Sequence, residues 1–179
     1  MATEARTIRS RMSALRDGIM EETASRFNRA MVYKMIRHLA QFHGDYKAIN
    51  EVVLNSDTLE ASSKVSFDDV KKGGTFHTHP AFIDGLTQSG GFAMNCNDKA
   101  DLDVEVFINH GWKSFQIFEE IAADKEYRTY TRMVEGKDKV WEGDIAVFEG
   151  ENIVASFRGV QVSCLGGLSL NTVLKTDIK

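Results

Sequence analysis

Proline is almost missing: Pro80 is the single proline among 179 residues, so glycines and Asn/Asp clusters must mark the turns. Cysteine is scarce too. Cys96 and Cys164 come without an export signal and read as reduced thiols, not as a disulfide framework. The opening stretch MATEARTIRSRMSALRDG lacks the apolar core of a secretory signal. Nowhere does an apolar run reach the roughly 18 residues of a membrane-crossing helix. Positive charge is not in excess either. Twenty-two Lys+Arg face 26 Asp+Glu, a net charge of −4, which argues against a general nucleic-acid binder. These absences lead to an expected cytoplasmic chain with neither a membrane nor a nucleic acid as partner. What is present, 42% apolar and 27% charged residues, is the balance of a globular protein, and the length suits one domain.

Residues 1–24 are rich in Arg, Glu, Ala, Ser and Met, so residues 1–25 read as a helical or partly frayed leader outside the core, with a single domain spanning 26–179. From Arg26 to His43, Phe27, Met31, Met35, Leu39 and Phe42 recur at helical spacing, with Ser25 as N-cap and Gly44 as the stop. Strands are expected over 48–54 and 58–67, joined at Asn55-Ser56-Asp57. The second alternates Leu59, Ala61, Ser63, Val65 and Phe67 on one side. Lys71-Lys72-Gly73-Gly74 reads as a surface loop. Pro80 suits the first turn of a helix running to Met94 or Asn95. Gly90-Gly91 inside it costs about 1 kcal/mol each relative to Ala, which suggests that a backbone or a ligand comes close there. Further strands are expected over 104–109, 114–119, 126–134, 139–148 and 152–162. Gly136, Gly143 and Gly150 fall in or beside the turns. Runs of antiparallel strands around one central helix make an α+β fold, and a single hot-dog domain over 26–179 fits this order best.

The stretch FHTHPAFIDGLTQSGG holds the most chemistry. On a helix starting near Pro80, Asp84 and Gln88 stand one turn apart and share a face with Gly91, with Thr87 beside them. A carboxylate there can move a proton or hold a substrate hydroxyl; it can also pair locally and do neither. His77 and His79 alternate on extended chain, and either could act as a base, since an unperturbed imidazole titrates near neutrality. No Cys/His/carboxylate cluster has metal-site spacing, so neither a metal nor another cofactor is implied. In FINHGW, Asn109 could present its amide on a concave sheet face or serve only as a turn residue. Cys96 has no neighbour in sequence that would lower its pKa, and no nucleophile elbow is present.

At these residues the sequence resembles the C-terminal half of the product template domain of fungal non-reducing polyketide synthases. The resemblance is carried by FNRAMVYKMI, FHTHPAFIDGLTQSGGFAMN, EVFINHGWKSFQIFE, ADKEYRTYTRM and DKVWEGDIAVFEG. It covers Phe27 to about Gly159. Such domains are double hot dogs that guide aldol cyclisation of a poly-β-ketone held as a thioester. Their catalytic pair is a His from the first hot dog and an Asp from the second, in an HPAxxDxxxQ-like stretch. The resemblance therefore carries the catalytic Asp onto Asp84 and places Gln88 and Asn109 along the polar wall of the chamber. The first hot dog with its His is absent from the sequence, and CLGGLSLNTVLKTDIK stands where the family has a basic ending. The chain reads as a free-standing half.

The resemblance thus implies an enzyme of fungal secondary metabolism that directs cyclisation (aldol-type, dehydrative or pericyclic) of a polyketide-like substrate, carrier-bound or free. Asp84 and His79 are the candidate catalytic residues, with Thr87, Gln88, Gly91 and Asn109 for substrate binding. A lone hot dog leaves a sheet edge and half a cleft open, which a two-fold homodimer would cover. The alternatives are a non-catalytic docking partner of a polyketide synthase and a hot-dog thioesterase or dehydratase.

Overall fold

The computed structural model describes residues 2–70, 74–101 and 104–166; the expected loop at Lys71, Lys72 and Gly73 and most of the altered ending lie outside them. In chain order the elements are α1 (Ala2–Met20), β1 (Ser25–Asn28), α2 (Arg29–Met35), β2 (Ile49–Asn55), β3 (Glu60–Ser66) and α3 (Pro80–Asn95). They are followed by β4 (Glu105–Gly111), β5 (Ser114–Ile117), β6 (Glu126–Glu135), β7 (Val140–Glu149) and β8 (Asn152–Gly166). Short 3₁₀ turns lie at Ile36–His38, Gly44–Tyr46 and Lys137–Lys139. The strands form one antiparallel sheet in the order β1-β2-β3-β6-β7-β8-β4, with β5 paired to β8. The sheet packs around α3, the α+β hot-dog arrangement expected from the pattern.

Period-two burial decides which strand residues face α3. On β3, Ala61, Ser63 and Val65 are buried; on β6, Tyr127, Thr129 and Thr131. The polar members of this inner face are satisfied: Ser63 and Thr129 share a 2.5 Å hydrogen bond, and the Thr129 hydroxyl donates to Ser89 Oγ on α3 at 3.1 Å. The α3 helix starts where Pro80 allows it, and His79 is its N-cap, accepting from the Ala81 N–H through Nδ1 at 3.2 Å. Gly85 lets α3 come against the segment entering β2. A Cβ there would stand 2.5 Å from Ala48 Cβ and 3.0 Å from Phe67 Cε1. Of the Gly90-Gly91 pair, a Cβ at Gly90 would meet Ile145 Cδ1 at 3.7 Å, whereas one at Gly91 would meet nothing within 4 Å.

Three expectations are corrected. Ser25 does not cap a helix over Arg26–His43: residues 25–28 form the edge strand β1, paired with Glu51–Leu54, and Arg26 is bonded to Glu51. The helix starts only after Asn28, whose Oδ1 accepts from Met31 N–H at 3.0 Å, and after Met35 it gives way to the 3₁₀ turn. Residues 1–24 do contribute to a core. Met12 and Leu15 of α1 are buried on the convex face of the sheet against Val53, Tyr130, Phe148 and Ile153, forming a second, smaller apolar cluster. Gly143 lies inside β7, at a register shift where a Cβ would meet Arg132 O at 2.4 Å, rather than in a turn.

Candidate functional site

One face of α3 presents Asp84, Thr87, Gln88, Gly91 and Asn95, residues three and four apart, to a cavity of about 290 Å³. Ile36, Leu39 and Phe42, from the chain following α2, and Val106, Phe107, Ile108 and Asn109 of β4 close its other sides. The lining is mostly apolar, with its polar groups gathered on the α3 and β4 walls. Asn95 joins those walls. Its Oδ1 accepts from Phe107 N–H at 2.9 Å, and its Nδ2 donates to Phe107 O at 2.9 Å and to Gly91 O at 2.9 Å.

Gln88 is the hub of the polar wall. Its Nε2 donates to Asp84 Oδ2 at 2.6 Å and to Tyr46 O at 2.8 Å. Its Oε1 accepts from the Tyr33 hydroxyl at 2.9 Å, and the Tyr33 oxygen accepts from Ile49 N–H at 2.9 Å. Burial raises the Asp84 carboxyl above its ordinary range, opposed by the hydrogen bond from Gln88. Burial likewise pushes the Tyr33 hydroxyl up to about 12. A carboxyl that favours its proton beside an apolar space can donate that proton to a developing oxyanion.

Thr87, also in the cavity lining, is turned to its own helix, donating to Asp84 O at 3.0 Å and Ile83 O at 3.2 Å. Asn109 Oδ1 accepts from Gly111 N–H at 2.7 Å across a bulge in the β4–β8 pairing. Gly91, with no side chain and nothing near it, widens the cavity between them. Asp84, Thr87, Gln88, Gly91 and Asn109 are therefore brought together. His79 is not among them. With His77, Phe76, Phe82 and residues 117–121 it lines a separate cavity of about 550 Å³ around the start of α3. Its ring packs between Phe76 and Phe82, with centroids 5.3 and 5.6 Å away. His110 is bonded to Ser163 on the neighbouring strand. Cys96 is buried, and burial pushes its thiol up to about 12, far from a thiolate nucleophile. Among the described residues no group of three or more His, Cys, Asp or Glu side chains is placed to hold a metal, and no helix is long and apolar enough to cross a membrane.

Sequence spacing alone leaves out Tyr33, Tyr46 and Asn95. The available signal is a hydroxyl inside the apolar run AMVYKMI, since a buried tyrosine needs a hydrogen-bond partner.

The profile of the family described as polyketide synthase dehydratase N-terminal domain matches residues 14–171. The chain is 55% identical over 177 residues to the non-reducing polyketide synthase pgmA of Aspergillus terreus, and 52% identical over 177 residues to the non-reducing polyketide synthase fsr1 of Gibberella fujikuroi. Each match takes in 99% of this chain and 8% of the relative. It is 40% identical over 166 residues to norsolorinic acid synthase stcA of Emericella nidulans, covering 92% of this chain and 8% of that one. Among solved structures, the dehydratase domain from the CurJ module of curacin polyketide synthase superposes with a TM-score of 0.62 at 18% identity, over 82% of this chain and 52% of that one. The CurK dehydratase domain gives 0.61 at 12% identity, over 84% and 52%. These likenesses show the fold, and this chain spans about half of each solved domain.

Proposed function

The chain belongs to the polyketide synthase dehydratase family, and from that premise we propose that it directs cyclisation of a poly-β-ketone chain in the cavity beside α3, with Asp84 as proton donor and acceptor. The observation that carries this reading is Asp84 itself, a carboxyl shifted toward its protonated form by burial, tied at one oxygen by Gln88, and set in a mostly apolar cavity. In an aldol closure, a methylene between two ketones gives up a proton and its carbon attacks a distant carbonyl. The new C–C bond leaves an alkoxide, which takes the Asp84 proton and becomes a hydroxyl. If water then leaves, the protonated base first returns its proton to Asp84. The base takes the remaining hydrogen of the attacking carbon, the C=C bond forms as the C–O bond breaks, and the departing hydroxyl takes the Asp84 proton to leave as water. Asn109, whose amide N–H groups are not used in its bond to Gly111 N–H, fixes a carbonyl oxygen. Gln88, with both N–H groups given to Tyr46 O and Asp84 Oδ2, holds the acid instead, and Gly91 leaves room for the folded chain.

The initial deprotonation needs a base. The product template resemblance puts that base, a histidine, on the other hot-dog half. His79, in its own cavity, serves α3 as a cap in this reading, not the reaction. The second half, with that histidine, is supplied by another hot-dog unit; a second copy in a two-fold dimer covers the open cleft but brings a second Asp84 in place of the histidine. Two features support this: β4 ends the sheet order, and Val104 and Ile108 stand 60% and 37% exposed at that edge. The substrate is read as a carrier-bound thioester, and the site of action as the cytoplasm.

The test places this chain in a related non-reducing synthase, in exchange for the matching segment, and compares ring products with Asp84 and with Asp84→Asn. Asparagine keeps the shape and still accepts from Gln88 while losing the proton. The expected outcome is a fall in cyclised product of about 10²- to 10⁴-fold, the usual contribution of a general acid. Unchanged cyclised product from the Asp84→Asn synthase would contradict the reading.

A further inference from the structure

The hydrogen-bond directions around Asp84 follow from two backbone groups that cannot reverse. Tyr46 C=O can only accept, so the Gln88 atom 2.8 Å from it is nitrogen. The Ile49 N–H can only donate, so the Tyr33 oxygen 2.9 Å away accepts, and its single proton is left for Gln88 Oε1 at 2.9 Å. With both ends pinned, the second Gln88 N–H must point at Asp84 Oδ2. A flipped amide would set oxygen against oxygen at Tyr46 and strand the Tyr33 hydroxyl.

Building on the reading of Asp84 as the acid, we propose that Tyr33 is a positioning residue. Through Gln88 it keeps Asp84 Oδ2 an acceptor and confines the transferable proton to Oδ1, the oxygen with no hydrogen bond among the described residues. Tyr33 is itself suited to the task, because a phenol is protonated through neutral pH and burial raises it further, so it stays a donor throughout. The charged groups set against this relay are few. Arg29 acts on Tyr33 from the start of α2, Lys47 Nζ stands 5.9 Å from the Tyr33 ring centroid, and Asp84 is on the facing helix. None replaces the hydroxyl as donor to Gln88.

The experiment follows the Asp84 carboxyl by ¹³C NMR across pH in the full chain, with Tyr33→Phe and with 3-fluorotyrosine at position 33. Phenylalanine leaves Gln88 Oε1 without a donor, which weakens Nε2–H as a donor to the carboxylate. The Asp84 midpoint then moves up, and the other Asp signals stay in place. Fluorotyrosine is a stronger donor with the same shape and moves the midpoint down, so a Phe variant that fails to fold leaves the proposal testable. In the exchanged synthase, Tyr33→Phe lowers the cyclisation rate about tenfold, the equivalent of one hydrogen bond. An Asp84 midpoint unmoved by either substitution overturns the positioning role. Because the titration does not depend on turnover, it stays separate from the acid assignment, which fails instead if Asp84→Asn still cyclises.

Discussion

Two cavities flank α3, and the smaller one carries the stronger case. Around the start of the helix lies a space of about 550 Å³ with two imidazoles and two carboxylates, His77, His79, Glu119 and Glu120, in its wall. Along the next turns lies a space of about 290 Å³ with one carboxyl among the described residues, Asp84. In the first, His79 Nδ1 is already spent on Ala81 N–H, and His77 makes, among the described residues, a 3.4 Å contact with the neighbouring Thr78 hydroxyl. In the second, every hydrogen bond to Gln88 has a fixed direction, and burial has moved the carboxyl toward the form that can donate. The number of titratable groups says less about a reactive site than how completely their partners are fixed.

The sharpest way to break this contrast is to disable each wall in turn. Asp84→Asn lowers cyclised product by about 10²- to 10⁴-fold with the fold intact. His79→Ala leaves product within about twofold and lowers unfolding free energy by about 1 kcal/mol, the usual value of an N-cap. Product assays and denaturant melts on the two variants separate the roles, and equal losses of product would erase the distinction. The two kinds of glycine on α3 give a smaller effect of opposite sign. Gly85→Ala sets a methyl against Ala48 and Phe67 and destabilises by about 1–3 kcal/mol. Gly91→Ala meets nothing and stabilises by about 0.5–1 kcal/mol while narrowing the cavity, visible as a higher Tm with a changed product ratio.

The smallest effect is in pH dependence. Because burial raises Asp84, the folded chain holds that proton to higher pH than the unfolded chain. The stability it contributes is complete below the ordinary aspartate value and is lost as pH rises through the folded value. Asp84→Asn has no such proton to lose. Melts of both proteins across this window should show the variant gaining on the wild type as pH rises, and a constant difference would rule out the shift.

The α3 segment was legible because its signals are local: Pro80 at the first turn, then Asp84, Thr87, Gln88 and Gly91 repeating at helical spacing. The strand alternation through Ala61, Ser63 and Val65 was equally local, and so was the Asn55 turn, where Oδ1 accepts from the N–H groups of Asp57 and Thr58. The helix expected over Arg26–His43 is present at Arg29–Met35 and in the turn that follows, but residues 25–28 depart from it because their fate is decided elsewhere. Ser25–Asn28 are drawn into the sheet by Glu51–Leu54, a pairing that outweighs the helical spacing of Phe27 and Met31. The relay was out of reach for the same reason, since Tyr33 and Tyr46 meet Gln88 across 55 and 42 positions of sequence. On α1, burial of Met12 and Leu15 depends on a convex sheet face that no local pattern announces.

Where the substrate lies is the claim on which the rest depends, and it can be read directly. A pantetheine-linked, non-cyclising poly-β-ketone mimic is titrated into the ¹⁵N-labelled chain, and amide shifts are followed residue by residue. The account predicts saturating shifts at Thr87, Gln88, Gly91 and Asn109, with His77, His79 and Phe118 unmoved. Shifts confined to the His77–His79 cavity, with the Asp84 face silent, would contradict it.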